Sequence, residues 1–215
     1  DKEGHLYGPN AEEVRTAVQT MDGYLGQLLK KLDDLGVRDQ TNIIVLSDHG
    51  MTQLSRNRII FLDDYIDLNN VDLINWSPVA DIVPQDDPVE IYDLLKDAHP
   101  HLTPFLKDSA PAELHYQKHR RIAPVFAVAD NGWTITSRQI FADNPRSFMG
   151  GTHGYQPEHK EMWAIFLASG PAFKKKVKMA PFKNIHIYDL LCHLLNIEPA
   201  VNDGELEVFQ GILQR

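Results

Sequence analysis

The sequence has 215 residues, of which 43% are hydrophobic and 24% are charged. These fractions are close to the average of soluble globular proteins and exclude an intrinsically disordered chain. The 30 acidic residues outnumber the 21 Lys and Arg residues, so the formal net charge is −9. This acidic balance excludes a protein that holds long nucleic acid by neutralising its phosphates.

The chain length predicts one large domain, or one domain with an insertion. Cys192 is the single cysteine, so the sequence contains no internal disulfide framework. No apolar run approaches the ~20 residues of a membrane span, and no signal peptide opens the sequence. The sequence begins at Asp1, inside a dense polar motif. We therefore expect further chain upstream, and membrane anchoring and the cellular compartment stay open at this point.

Residues 10–35 have the spacing of a long amphipathic helix. Asn10 and Glu13 fit a capping box at its start, and Gly36 fits the left-handed residue that ends many helices. The β-branched run 41–47 follows. Because its polarity does not alternate, it predicts a strand that is buried on both faces, as in a parallel sheet. Asp48-His49-Gly50 comes directly after this strand, at the end where ligands bind in open α/β sheets.

The alternation of strands and helices is interrupted in the middle of the chain and then returns. The patterns predict weaker strands over 59–66 and 71–83, a capped helix over 88–97, and short strands over 125–129 and 133–136. A buried strand over 162–169 and an apolar helix over 187–195 follow. The predicted organisation is an α/β core over 1–66, a smaller inserted subdomain over 67–148, and a second stretch of the core over 149–215.

Three short segments place metal-ligand side chains beside glycines. They are Asp1-Lys2-Glu3-Gly4-His5-Leu6-Tyr7-Gly8-Pro9, Ser47-Asp48-His49-Gly50-Met51 and Gly150-Gly151-Thr152-His153-Gly154-Tyr155. Imidazole nitrogen and carboxylate oxygen are common zinc ligands, and glycine lets the backbone turn sharply and come close to an ion. Because all three segments share this pattern, we predict that the metal ligands are Asp1, His5, Asp48, His49 and His153.

Each segment has an ordinary alternative when it is taken alone. Asp1 could cap a helix, Asp48-His49-Gly50 could be a polar turn, and His5 or His153 could be a surface histidine. Cys192 lies in an apolar run and is predicted to be a small core residue. The other histidines lack the glycine context and are predicted to be surface, capping or core residues: His99, His101, His115, His119, His159, His186 and His193.

The order Asp-x-x-Gly-His-x-x-Gly-Pro, Ser-Asp-His-Gly-Met and Gly-x-His-Gly-Tyr resembles the ectonucleotide pyrophosphatase/phosphodiesterase family of the alkaline phosphatase superfamily. Asp-His-Gly alone is shared by several branches of that superfamily, whereas the three motifs together are specific. Further matches extend the resemblance over nearly the whole chain: Arg121-Ile122-Ala123-Pro124, Ala129-Asp130-Asn131-Gly132-Trp133, residues 164–173, residues 187–192 and Asn202-Asp203-Gly204.

This resemblance implies an alkaline-phosphatase-like α/β fold, in which a mixed, mostly parallel sheet is sandwiched by helices. It implies a hydrolase of phosphodiester or pyrophosphate bonds that releases a nucleoside 5′-monophosphate and uses two zinc ions. Asp1, His5 and His153 match the ligands of one zinc ion, and Asp48 and His49 match two ligands of the other. It also implies a secreted, periplasmic or cell-surface location.

The resemblance implies residues that this chain does not contain. The family's second zinc ion also takes an upstream Asp and the catalytic Thr, which forms a phospho-threonine intermediate. We therefore expect the N-terminal part of the same protein as a tightly docked partner, and a nucleotide or another phosphodiester as substrate. Two alternatives stay open. One is a phosphomonoesterase, phosphonate hydrolase or sulfatase of the same superfamily, and the other is a non-catalytic binding module that keeps a zinc ion.

Overall fold

A computed structural model describes residues 1–214 of the chain. The helices are α1 (Lys2–Tyr7), α2 (Glu12–Asp34), α3 (Pro88–Leu95), α4 (Arg138–Asp143) and α5 (Ile187–Leu195). The strands are β1 (Ile43–Leu46), β2 (Thr52–Gln53), β3 (Ile59–Phe61), β4 (Val71–Asn75), β5 (Val79–Pro84), β6 (Leu102–Leu106), β7 (Val125–Ala129), β8 (Thr134–Thr136), β9 (Gly151–Thr152) and β10 (Phe166–Ser169). The chain divides into two compact units: the first contains residues 1–20 and 49–163, and the second contains residues 21–48 and 164–214.

The first unit contains a four-stranded antiparallel sheet with the strand order β4-β5-β7-β6. All five residues of β7 are buried, as expected for a strand that is covered on both faces. Val125 and Ala127 point to one face and join the core cluster of Leu95. Phe126 points to the other face and packs edge-on against Tyr116. The period-two alternation of this strand therefore supplies two separate cores.

The first unit also contains two shorter strand pairs, of which the β2–β9 pair includes part of a glycine-flanked segment. β2 pairs with β9 in an antiparallel register that sets Thr52 opposite Thr152. β3 pairs with β8 in parallel, with Ile60 opposite Ile135, and both of these side chains are fully buried. The β2–β9 pair fixes the chain immediately before His153 to the chain just after His49.

The second unit contains the two-stranded antiparallel sheet of β1 and β10, in which Ile43 lies opposite Ser169. Its core lies around Leu190 of α5 and Phe209, which are both fully buried. The predicted burial of β1 on both faces and the predicted burial of β10 are wrong for the described chain, because β1 is half-buried to exposed and β10 alternates between half-buried and exposed residues. In the described residues each of these strands has only one neighbouring strand, which leaves its other edge uncovered.

Most helix predictions are confirmed. The helix predicted over 10–35 is α2, and Gly36 has a φ of +68° after its end. Asp87 caps α3, since its carboxylate accepts a hydrogen bond from the backbone N–H of Val89 at 2.9 Å. The helix predicted over 187–195 is α5. In the described part of the chain, no helix is long and apolar enough to cross a membrane.

The mixed α/β fold class is confirmed, with one difference inside this chain. Of the six strand pairs among the described residues, five are antiparallel and only β3 with β8 is parallel. Part of the reason is local, because the short connection between β4 and β5 can join only antiparallel strands. The four-stranded sheet lies within the predicted insertion 67–148, whose boundaries stay a prediction.

Candidate metal centre

Helix α1 brings the first two predicted ligands together. The backbone N–H of His5 donates to the carbonyl of Asp1 at 3.0 Å, so the two side chains lie one helical turn apart on the same face. His5 Nε2 lies 3.2 Å from Asp1 Oδ1. The other ring nitrogen, Nδ1, lies 2.9 Å from the carbonyl of Gly151. A carbonyl only accepts, so Nδ1 carries the proton and the lone pair of Nε2 is available for a metal ion.

His153, the residue that follows β9, is the third predicted ligand. Its Nε2 lies 3.8 Å from Asp1 Oδ1, and its ring centroid lies 5.1 Å from that of His5. The ligand atoms of Asp1, His5 and His153 all lie within 4.8 Å of one another, and no other group of three such residues occurs in the described chain. Zinc bonds of about 2.0–2.2 Å in a tetrahedron separate two ligand atoms by roughly 3.3–3.6 Å. The donor types and their spacing therefore fit a zinc ion.

Glycines permit the close approach of α1 to the segment before His153. A Cβ on Gly150 would lie 1.8 Å from the carbonyl oxygen of His5. A Cβ on Gly151 would lie 2.8 Å from the carbonyl oxygen of Gly4. Both neighbours are backbone atoms, which cannot rotate away. The glycines of the motif are therefore required by the packing that brings His5 to the Gly151 carbonyl.

His49 lies against His153, with ring centroids 3.4 Å apart and planes inclined by 14°. Its Nδ1 lies 2.8 Å from the carbonyl of Gly50, so the proton is on Nδ1 and the lone pair of Nε2 can bind a metal ion. Asp48 precedes it in the chain, is exposed and belongs to the second unit. The structure thus brings together four of the five predicted ligands in the first unit, and joins Asp48 to them through the chain.

The centre is open on one side. The exposed fractions of the Asp1, His5 and His153 side chains are 57%, 40% and 31%. Three protein ligands with an accessible fourth position are typical of catalytic zinc sites, whereas structural sites are closed by four. The arrangement can therefore accept an anionic oxygen from a substrate.

Several of the remaining histidines have other partners, as predicted. His101 Nδ1 lies 2.8 Å from Asp130 Oδ2, and His99 Nδ1 accepts a hydrogen bond from the backbone N–H of His101. His186 Nδ1 accepts from the backbone N–H of Glu205 at 3.0 Å. Cys192 is buried, which confirms it as a core residue.

Sequence reasoning did not identify the residues that support these ligands. Thr52 and Asn131 are joined by a hydrogen bond of 2.7 Å, and Tyr155 donates to the carbonyl of Trp133 at 2.9 Å. The motif Asp130-Asn131-Gly132-Trp133 was the one sequence feature that marked this region. Its place beside the centre depends on a contact between residues 79 positions apart, which the local sequence pattern does not contain.

Residues 1–156 match the model of the family described as type I phosphodiesterase / nucleotide pyrophosphatase. The chain is 40% identical over 207 residues to bis(5′-adenosyl)-triphosphatase enpp4 of Mus musculus, covering 96% of this chain and 44% of the relative. It is 39% identical over 214 residues to ectonucleotide pyrophosphatase/phosphodiesterase family member 5 of Homo sapiens, covering 99% of this chain and 44% of the relative. The chain thus spans less than half the length of these relatives.

Solved structures match the fold. Murine ectonucleotide pyrophosphatase/phosphodiesterase 5 superposes with a TM-score of 0.91 at 40% identity, covering 100% of this chain and 56% of that one. An inactive variant of the same murine protein in complex with AMP superposes with a TM-score of 0.90 at 39% identity, again covering 100% of this chain and 56% of that one. The family model, the relatives and the fold agree with the motifs. The chain therefore belongs to the ectonucleotide pyrophosphatase/phosphodiesterase family and covers a portion of its catalytic domain.

Proposed function

We propose that the protein is a zinc-dependent hydrolase of phosphodiester and pyrophosphate bonds that releases nucleoside 5′-monophosphates. The observation that carries the proposal is the convergence of Asp1, His5 and His153 within 4.8 Å, open to solvent on one side. Membership of the family supports the reaction class. The AMP complex of the murine relative supports a nucleotide as substrate or product.

Two zinc ions are proposed. Asp1, His5 and His153 hold the first, and Asp48 and His49 contribute to the second. When bound, such a pair stabilises negative charge on the attacking and leaving oxygens of an in-line displacement. The His5 and His49 rings are held for this role by the Gly151 and Gly50 carbonyls, which fix the proton on Nδ1. The net charge of −9 fits a chain in which carboxylates face two dications.

The second zinc ion requires more than this chain contributes, because two protein ligands are fewer than the three of a catalytic site. We propose that an upstream part of the same protein docks onto this chain and supplies an Asp and the Thr nucleophile. The Thr takes the nucleotidyl phosphate as the leaving alcohol or phosphate departs, and water then releases the nucleoside 5′-monophosphate. The relatives support a longer protein, since this chain covers 44% of their length.

The same resemblance supports a location outside the cytoplasm: secreted, periplasmic or at the cell surface. The prefix "ecto" in the name of the human relative agrees with it. A nucleotide, a dinucleotide or another small phosphodiester is the proposed substrate class. Long nucleic acid is not, because an acidic chain repels its phosphates.

The test compares two chromogenic substrates on the complete protein. We expect release of nitrophenol from a nitrophenyl ester of a nucleoside 5′-monophosphate to exceed release from nitrophenyl phosphate, and to stop after zinc is removed with a chelator. Added zinc should restore it. A preference for nitrophenyl phosphate would favour the phosphomonoesterase alternative. Zinc binding without turnover of either ester would favour the binding module.

A further inference from the structure

The segment Asp130-Asn131-Gly132-Trp133, which we call the 130–133 loop, joins β7 to β8 and contains none of the proposed ligands. It is a tight turn, in which the backbone N–H of Trp133 donates to the carbonyl of Asp130 at 2.9 Å and Gly132 has a φ of +79°. A Cβ on Gly132 would lie 2.9 Å from Cζ of Arg58. The loop is therefore a hydrogen-bonded turn that packs closely against the Arg58 side chain.

Asn131 uses both ends of its side-chain amide. Its Oδ1 accepts a hydrogen bond from the hydroxyl of Thr52 at 2.7 Å, and its Nδ2 donates to Glu161 Oε2 at 3.3 Å. Thr52 is 5% exposed, so its hydroxyl has little access to water if this bond is lost. Thr52 lies three residues after His49. Asn131 thus links the chain that follows His49 to the segment at Glu161.

The segment at Glu161 is itself in contact with the turn that carries His49. The backbone N–H of Gly50 donates to the carbonyl of Met162 at 2.9 Å. A Cβ on Gly50 would lie 1.9 Å from the carbonyl oxygen of Glu161. The His49-Gly50 turn therefore contacts the segment whose Glu161 carboxylate accepts the hydrogen bond of Asn131.

The loop holds the His153 segment as well. The hydroxyl of Tyr155 donates to the carbonyl of Trp133 at 2.9 Å, and Tyr155 is 6% exposed. Tyr155 lies two residues after His153. On the other side of that histidine, Thr152 pairs with Thr52, which is the residue that Asn131 holds. Both histidine-bearing segments are therefore hydrogen-bonded to the same loop.

A second set of contacts fixes the loop from the opposite direction. Asp130 Oδ2 lies 2.8 Å from His101 Nδ1, and the backbone N–H of Asp130 donates to the carbonyl of His101 at 3.0 Å. The His101 ring stacks on Trp133 with centroids 4.0 Å apart. These contacts anchor the loop to the residue before β6.

We propose that the 130–133 loop is a positioning element of the metal centre, and that Asn131 is the positioning residue that sets His49 and His153 relative to each other. This proposal rests on the zinc sites proposed above. Partners of metal ligands that lie outside the coordination shell commonly change metal affinity by about 10–100-fold when they are removed. Asn131 acts on the ligand side chains indirectly, through Thr52 and the backbone of the segments that carry His49 and His153.

A charge swap tests the proposal on the complete protein. Asn131→Asp keeps the acceptor for Thr52 but places a carboxylate opposite Glu161. We expect zinc affinity, measured by competition with a chromogenic chelator, to weaken by roughly tenfold or more. In the double variant Asn131→Asp with Glu161→Gln, the amide at position 161 can donate to the carboxylate at position 131. This variant should recover most of the zinc affinity. The visible absorption of the cobalt-loaded protein should shift in the single variant and return in the double variant.

Two further variants complete the design. Asn75→Ala removes an amide that donates to Asp81 Oδ2 at 2.8 Å in the four-stranded sheet, and should leave zinc affinity unchanged. Tyr155→Phe removes only the hydroxyl that donates to Trp133, and should weaken zinc binding without a change of ring packing. If Asn131→Asp does not fold, the zinc affinity of Tyr155→Phe tests whether the 130–133 loop positions the ligands.

The proposal is overturned if Asn131→Asp or Tyr155→Phe binds zinc as tightly as the parent protein, or if Glu161→Gln does not restore binding. A parent protein that binds zinc but hydrolyses no diester contradicts the proposed function alone, because the comparison of affinities still decides the positioning role. A parent protein that binds no zinc contradicts both.

Discussion

Four histidines of this chain differ in what contacts their Nδ1 atoms, and the difference distinguishes two proposed ligands from two histidines outside the motifs. In His5 and His49 this atom faces a backbone carbonyl, which requires a proton there and leaves the lone pair of Nε2 for the proposed metal ion. In His99 and His186 the same atom accepts a backbone N–H, which excludes a proton from it. In these four histidines, a single backbone contact therefore distinguishes the candidate ligands from the histidines outside the motifs.

Substitution of a proposed ligand should remove zinc binding and activity together. We expect His5→Ala, His49→Ala, His153→Ala, Asp1→Ala and Asp48→Ala each to reduce diester hydrolysis by more than about 100-fold, beyond the usual effect of outer partners. Elemental analysis should show less than the two zinc ions proposed for the parent protein.

The matched control is His159→Ala, a half-buried histidine outside the three motifs. It should keep near-parental activity and metal content. A folded His159→Ala protein that is as inactive as His153→Ala would show that the wrong histidines have been assigned.

A glycine inside helix α2 and a glycine at a close backbone contact have different surroundings, which predicts opposite effects of alanine. Gly23 lies inside α2, and a Cβ on it would have no neighbouring atom within 4 Å, so Gly23→Ala should raise the free energy of unfolding by about 0.5–1 kcal/mol.

A Cβ on Gly150 would lie 1.8 Å from the His5 carbonyl oxygen. Gly150→Ala should lower that free energy by roughly 1–3 kcal/mol, as overpacking does, and should weaken zinc binding. Denaturant unfolding measures the change in stability of both variants, and zinc titration measures the metal affinity of Gly150→Ala. A change of the free energy of unfolding in the same direction for both variants would contradict the prediction.

The contact between His99 and the start of β6 should weaken in acid. Burial lowers the pKa of His99 and the neighbouring His101 lowers it further, while Asp130 opposes them. Protons therefore bind more readily when the contact is open, so stability is full above the ordinary histidine pKa of about 6.5 and falls as the pH drops below it. We expect the amide of His101, which donates to His99 Nδ1, to lose hydrogen-exchange protection as the pH falls below about 6.5, the ordinary histidine pKa.

The control for this pH effect is His99→Asn, whose side-chain oxygen can accept the same hydrogen bond without titrating. It should keep more of the protection of the His101 amide below about pH 6.5, while the contacts of His101 with Asp130 stay in both proteins. The same loss of protection in the variant would show that His99 is not the source of the pH dependence.

Local patterns predicted the elements whose determinants are local. Helix α2 ends before Gly36, and α3 begins after Asp87, because capping and positive φ act within a few residues. The burial of β1 was predicted wrongly, since burial depends on neighbours that a strand's own residues do not specify. The three ligand motifs were found because glycine marks close backbone approach. The support of Asn131 was not, because its bond to Thr52 spans 79 positions.

At the scale of the molecule, the described chain exposes apolar surface that a protein of this composition would normally cover. One face of α2 carries Val18, Met21 and Leu28 with exposed fractions of 63%, 63% and 51%. In the second unit, Leu46 of β1 and Leu167 of β10 are 44% and 54% exposed. Each of these two strands also has an edge without a neighbouring strand in the described residues. Such edges and apolar faces promote association between chains.

These surfaces predict the behaviour of residues 1–215 expressed alone. We expect this chain to be inactive, because the second proposed zinc site has only Asp48 and His49, and poorly soluble, because its apolar faces associate. Co-expression with the upstream part should restore both solubility and diester hydrolysis. Met21→Glu with Leu167→Lys separates the two causes: it should raise the soluble fraction of the isolated chain without making it active. A soluble, monomeric parent chain that cleaves nucleotide diesters as fast as the complete protein would contradict the need for an upstream partner, and would place the nucleophile inside this chain.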